Sequence, residues 1–71
     1  MKARRLLAVL EREPLKYRVV RQKGSHRRLL SPDYPKLVFA YHDRATVRSH
    51  MVREILVGDV GLAEDEAREL L

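Results

Sequence analysis

One histidine, His26, stands in the most basic stretch of the chain, directly after the dipeptide Gly24-Ser25. Histidine titrates near neutral pH, so it can accept or donate a proton under physiological conditions. Four cations lie within eight residues of sequence around it, namely Arg21, Lys23, Arg27 and Arg28. Clustered cations attract phosphate groups. The combination predicts acid–base chemistry at a site that binds phosphate.

The dipeptide Gly24-Ser25 is a two-residue turn signal between two strand-like runs. Glycine tolerates the positive φ that the first central position of a type II′ turn requires. We therefore expect a hairpin, with one strand over residues 17–23 and a returning strand over 26–31. His26 would open the returning strand at an exposed position.

Strand pairing decides which side chains share a face with His26. A two-residue turn places Lys23 opposite His26, and a regular register then places Val20 opposite Leu29. One face would hold Val19, Arg21, Lys23, His26, Arg28 and Leu30, and the other would hold Val20, Gln22, Arg27 and Leu29. Burying cations without carboxylate partners costs several kcal/mol each, and no acidic residue lies between Glu13 and Asp33. We expect the helices to cover the second face.

The remaining elements are predicted from the spacing of apolar residues and from residues that interrupt helices and strands. Ala3, Leu6, Leu7 and Leu10 repeat with helical spacing, and Pro14 should end that first helix. Residues 37–42 are the strongest β-forming run and predict a third strand, central or well covered. A second helix carries an apolar stripe after Asp43 or Thr46, either of which could cap it. A short helix is expected within residues 62–71.

Size and charge limit the functions that this chain can serve. Its 71 residues predict one domain, residues 1–71, with a small core and no deep pocket for a large organic cofactor. Lys and Arg number 15 against 10 Asp and Glu, a net charge of +5, which favours nucleic acid or an acidic protein as partner. We expect no small-molecule cofactor.

Several classes of site and location are disfavoured by what the sequence contains. There are no cysteines, which removes disulfides, thiolate nucleophiles and cysteine zinc sites. No metal-ligand spacing is present, so we expect no metal site. No stretch approaches the ~20 apolar residues of a membrane span, and no cleavable leader is recognisable. We expect a cytoplasmic protein that makes no contact with membranes.

The run from Val20 to Leu29, centred on Gly24-Ser25-His26, closely resembles the signature of the HicA toxins, also called the YcfA-like family. The similarity extends to the leucine-rich N-terminal helix, a third strand ending in His42, and residues 53–56 leading to Gly61. It implies an α+β, double-stranded-RNA-binding-domain-like fold of order α-β-β-β-α. That fold has a three-stranded antiparallel sheet with helices on one face and a short C-terminal helix, as the residues also predict.

The resemblance also implies a function. Such proteins are toxins of type II toxin–antitoxin systems, ribosome-independent mRNA interferases whose motif histidine is essential and whose site a HicB antitoxin blocks. The matching position here is His26, and the expected partners are mRNA and a HicB-like antitoxin protein. Residues expected to bind RNA are Arg21, Lys23, Gly24, Ser25, Arg27 and Arg28.

The residues favour cleavage without a metal, by attack of the neighbouring 2′-hydroxyl on phosphorus. His26 would act as general base, or as general acid toward the departing 5′-oxygen. Lys23, His42 or a bound water could be its partner in proton transfer. Tyr17, Tyr34, Phe39 and Tyr41 could stack on bases, with Phe39 favoured for the core.

Two other functions are compatible with the same residues. A non-catalytic RNA-binding module could use the same basic face, and substitution of His26 would separate that function from catalysis. In a purely structural role, a permanent acidic subunit would fill the basic face.

Overall fold

The computed structural model describes all residues, 1–71. Helix α1 spans Ala3–Glu11, and the strands are β1 (Arg18–Lys23), β2 (His26–Leu30) and β3 (Leu37–Phe39). Helix α2, Ser49–Arg53, continues directly into a π-helix over Glu54–Asp59, and helix α3 spans Glu64–Leu70. The α+β class and the order α-β-β-β-α are confirmed.

The three strands form one antiparallel sheet in the order β1-β2-β3. The third strand was expected to be central or well covered, and the first alternative was wrong, because β2 is central. Strand β3 is an edge strand of three residues, of which Leu37 and Phe39 are buried. The chain leaves the sheet early because the segment after β3 pairs with the N-terminus instead. The N–H of Ala3 donates to the Ala45 carbonyl over 2.8 Å, and Lys2 forms a β-bridge with Thr46.

A bulge in β1 changes the expected register. Val19, rather than Val20, lies opposite Leu29, and the register shifts between Val19 and Arg21. In a regular ladder Tyr17 would alternate onto the uncovered face of the sheet. The extra residue turns Tyr17 toward the core instead, where the side chain is buried.

Tyr17 is held at several points. Its hydroxyl donates to the Pro35 carbonyl over 2.6 Å, and its N–H donates to the Leu10 carbonyl over 2.9 Å. Burial raises the pKa of the Tyr17 phenol above its ordinary value, with smaller contributions from Tyr34 and Asp59. These contacts fix the start of β1.

The core lies between the helices and one face of the sheet. Helix α1 buries Ala3, Leu6 and Leu10 as helical periodicity predicts, and it also buries Val9, whereas Leu7 is only half-buried. The sheet contributes Leu29, Leu37 and Phe39, while Val38, between the last two, is 67% exposed. The helices therefore cover one face of the sheet and leave the other open, as predicted.

The second helix begins later than the sequence suggests. Asp43 and Thr46 do not cap it, since it starts at Ser49 without a side-chain cap. Thr46 is engaged in the bridge to Lys2. At the other end Gly61 takes a φ of +89°, which glycine adopts without a Cβ penalty, and this releases the chain toward α3.

Candidate nucleic-acid interface

The turn that precedes His26 has the expected geometry. Gly24 takes a φ of +60°, whereas Ser25 is not among the residues with positive φ, which is the combination of a type II′ turn. Lys23 and His26 pair directly across the hairpin. The Gln22 side-chain amide donates to the Gly24 carbonyl over 3.1 Å and closes the turn from the side. His26 is thus exposed on the first residue of β2.

We call the uncovered side of the sheet the open face. Alternation along β2 exposes His26, Arg28 and Leu30, and their cross-strand partners lie on the same side. The open face comprises Arg18, Arg21, Lys23, His26, Arg28, Leu30 and Val38. It contains no carboxylate, so nothing within the face offsets its positive charge.

The cations of the open face are free of ion pairs. The structure has three ion pairs, and none of them involves Arg18, Arg21, Lys23 or Arg28. Arg21 lies directly opposite Arg28, an arrangement in which like charges destabilise the pair. A phosphate between the two guanidiniums would relieve this repulsion, so the geometry favours an anionic ligand.

Arg27 lies apart from the other motif cations. It points to the covered side and is only 9% exposed. Its Nη2 donates to Asp43 Oδ1 over 2.6 Å, and its Nη1 is buried without a partner. The strand pairing predicted Arg27 on this covered face, and its carboxylate partner comes from beyond β3. Arg27 is therefore separated from the surface that could contact a ligand.

The aromatic side chains contribute little to the open face. Phe39 and Tyr17 are buried in the core. Tyr34 and Tyr41 are half-buried and pack against it, Tyr41 with its ring 5.6 Å from that of Phe39. None of the residues of the open face is therefore a tyrosine or phenylalanine, and charge dominates that face.

A groove of about 380 Å³ lies on the helical side of the molecule, between the N-terminus, α2 and α3. Its apolar floor includes Val52, Leu56 and Ala67, and it does not include His26. No group of three His, Asp or Glu side chains is placed to hold a metal ion. None of the helices has the length and apolar character needed to cross a membrane.

Comparison with protein families gives a match that covers most of the chain. The family described as the HicA toxin of bacterial toxin–antitoxin systems matches residues 3–62 of this chain. The chain belongs to the HicA toxin family. Membership makes it the toxin of a toxin–antitoxin pair, and the matched range contains the whole open face of this HicA-family toxin. Neither the comparison with curated proteins nor that with solved structures gives a match.

Two features of this HicA-family site were missed by sequence reasoning. The bulge at Val20 removes Val19 from the open-face register, and Asp43 supplies the carboxylate that pairs with Arg27 on the covered side. The bulge had a signal in Tyr17, an aromatic residue that a regular ladder would have left uncovered. The ion pair had no signal in the sequence, because it joins residues 16 positions apart.

Proposed function

We propose that this HicA-family toxin is an endoribonuclease, an mRNA interferase that cleaves RNA without the ribosome and uses His26 for proton transfer. The observation that carries the proposal is the exposed imidazole on a face of unpaired cations. A proton-transfer group and a phosphate-binding surface coincide there, on rigid strands rather than on a loop.

The chemistry starts from the RNA itself. The 2′-hydroxyl attacks the adjacent phosphorus while His26 accepts its proton, and the bond from phosphorus to the 5′-oxygen breaks. Cleavage leaves a 2′,3′-cyclic phosphate and a 5′-hydroxyl. Arg21 and Arg28, with Lys23 beside His26, would stabilise the charge that builds on the phosphate oxygens.

The shape of the surface suits a macromolecular substrate. The open face is an uncovered sheet, and it can bind an extended RNA strand through successive phosphates. Gly24 and Ser25 would approach the RNA backbone at the tip of the hairpin, where Gly24 is exposed and Ser25 half-buried. Arg27 is left out of the proposed contact surface because it faces the core.

The proposed partners follow from the same charge. An mRNA substrate would place the toxin in the cytoplasm, and a HicB-like antitoxin with acidic residues would compete for the open face. Neither partner requires a small-molecule cofactor.

A defined RNA incubated with the purified protein in EDTA tests the proposal. We expect cleavage products that end in 2′,3′-cyclic phosphate, and we expect RNA with a single 2′-deoxy residue at the cut position to resist cleavage there. Electrophoresis with end-group analysis measures both. Cleavage of the deoxy position at the normal rate would exclude attack by the 2′-hydroxyl.

A non-catalytic RNA-binding module is the second candidate, favoured by the dominance of charge on the open face. Such a module would bind the same RNA and leave it intact under every condition in which the protein is folded. The cleavage experiment with parallel binding measurements separates the two functions.

RNA affinity should depend on salt through the open-face cations. For single-stranded RNA the logarithm of the binding constant falls with that of salt concentration, with a slope of about −0.7 for each neutralised phosphate. We expect Arg21→Gln and Arg28→Gln each to weaken binding and to lower that slope by about one contact. Titrations at several salt concentrations measure it.

Arg5→Gln provides the matched control for this experiment, because Arg5 is an exposed arginine of α1 on the helical side. Its replacement should leave the slope almost unchanged. An equal loss in all three variants would show that net charge, and not the open face, governs binding.

A further inference from the structure

Proton transfer in the proposed reaction needs a donor for the leaving 5′-oxygen as well as a base for the 2′-hydroxyl. We propose that His42 is that donor. The inference rests on the proposed function and deepens it by completing the site. It is carried by the strand register and by the contact between Arg27 and Asp43.

The register brings the chain after β3 to the end of the sheet where His26 lies. Arg27 pairs with Phe39 at the end of the ladder between β2 and β3, and the chain runs on from there toward the end of the sheet that carries His26. His42 follows Phe39 by three residues, and His26 directly precedes Arg27.

Alternation places His42 on the open face. The odd-numbered residues turn to the covered side, where Phe39 is buried, Tyr41 packs beside Phe39 and Asp43 binds the inward-facing Arg27. The even-numbered residues between them, Ala40 and His42, are exposed, as is Val38. His26 and His42 therefore share one face and one end of the sheet.

The ion pair fixes this arrangement. Arg27 directly follows His26 and Asp43 directly follows His42, and the 2.6 Å contact between them joins the two histidine-bearing segments from behind. Backbone bonds hold the second segment as well, since the Asp43 carbonyl accepts from Arg4 N–H over 3.1 Å and the His42 carbonyl from Ala45 N–H over 2.9 Å. The segment is preorganised, as a proton donor must be.

The completed step balances without any further reactant. The bond from the 2′-oxygen to phosphorus forms and the bond from phosphorus to the 5′-oxygen breaks. His26 takes the proton of the 2′-hydroxyl, and His42 gives a proton to the 5′-oxygen. Exchange with solvent afterwards returns each imidazole to its starting state.

Lys23 is the competing donor, because it pairs with His26 across the hairpin. Lysine as a residue type holds its proton far above neutral pH, whereas histidine releases and regains one near neutrality. We therefore assign Lys23 to binding the phosphate charge and His42 to proton donation.

The test compares ordinary RNA with RNA that carries sulfur in place of the leaving 5′-oxygen at the cut position. A thiolate leaves without protonation, so loss of the donor matters only for ordinary RNA. We expect His42→Ala and His42→Gln to slow cleavage of ordinary RNA by about 10²-fold or more, but that of the sulfur substrate by only a few-fold. His26→Ala should slow cleavage of both substrates strongly. Lys23→Ala should slow cleavage of both substrates by the same factor.

His50→Ala is the matched control, since His50 is an exposed histidine of α2. Thermal melts establish that each variant is folded. Normal cleavage of ordinary RNA by the His42 variants, or equal losses on both substrates, would overturn the assignment while leaving the proposed nuclease intact. Absence of cleavage by the unmodified protein would reject the proposed function and the role of His42 with it.

Discussion

Replacement of His26 by alanine is expected to slow RNA cleavage by about 10²- to 10⁴-fold, the usual contribution of a positioned acid–base group. Binding should change little, because the open-face cations Arg21, Lys23 and Arg28 remain in place. The side chain of His26 is exposed at the start of β2 and buries nothing, so the fold should persist. Single-turnover cleavage rates and equilibrium binding to the same RNA measure the two effects separately.

His50→Ala serves as the control for this prediction also, since it removes an exposed imidazole from the helical side. It should cleave at the parental rate. Full activity of His26→Ala would show that the catalytic group is another residue. Parallel losses of binding and cleavage would show that His26 only contacts the RNA.

Replacement of Asp43 by alanine is expected to destabilise the fold by about 1–3 kcal/mol, the range for leaving a buried donor without its partner. Arg27 would keep its charge while losing the one partner of its guanidinium, and its Nη1 already has none. The lower end applies because the Asp43 side chain is 56% exposed, so water can partly replace it. Urea unfolding followed by circular dichroism measures the loss.

A double-mutant cycle gives this prediction its control. Arg27→Met alone should also destabilise the fold. The double variant with Asp43→Ala should lose much less stability than the sum of the two single losses, because no charge is then left buried. Additive losses would show that the two side chains act independently and that the ion pair contributes little.

The hairpin and its chemistry were accessible from sequence because they depend on local rules. Gly24 has the positive φ that the turn requires, and pairing of Lys23 with His26 follows from a two-residue loop. Alternation and the cost of burying cations then predicted which face would stay open. The structure confirms that choice for Arg21, Lys23, His26 and Arg28.

Long-range contacts account for what sequence reasoning missed. The third strand ends at Phe39 because the residues that follow it bond to the N-terminus, which no local pattern encodes. The bulge at Val20 allows the Tyr17 side chain to be buried, and Asp43 provides the only ion-pair partner of the covered Arg27. Each depends on a partner that is distant in sequence.

Strand β1 also affects whether copies of this protein associate with one another when no partner covers the strand. β1 is a six-residue edge strand, and every one of its residues is exposed. Such a free edge invites strands of other molecules to add to it and start aggregation. The bulge interrupts its hydrogen-bonding row, and Arg18, Arg21 and Lys23 make two such edges repel each other. The charges proposed to hold RNA thus also oppose edge-to-edge association of this small, half-uncovered sheet.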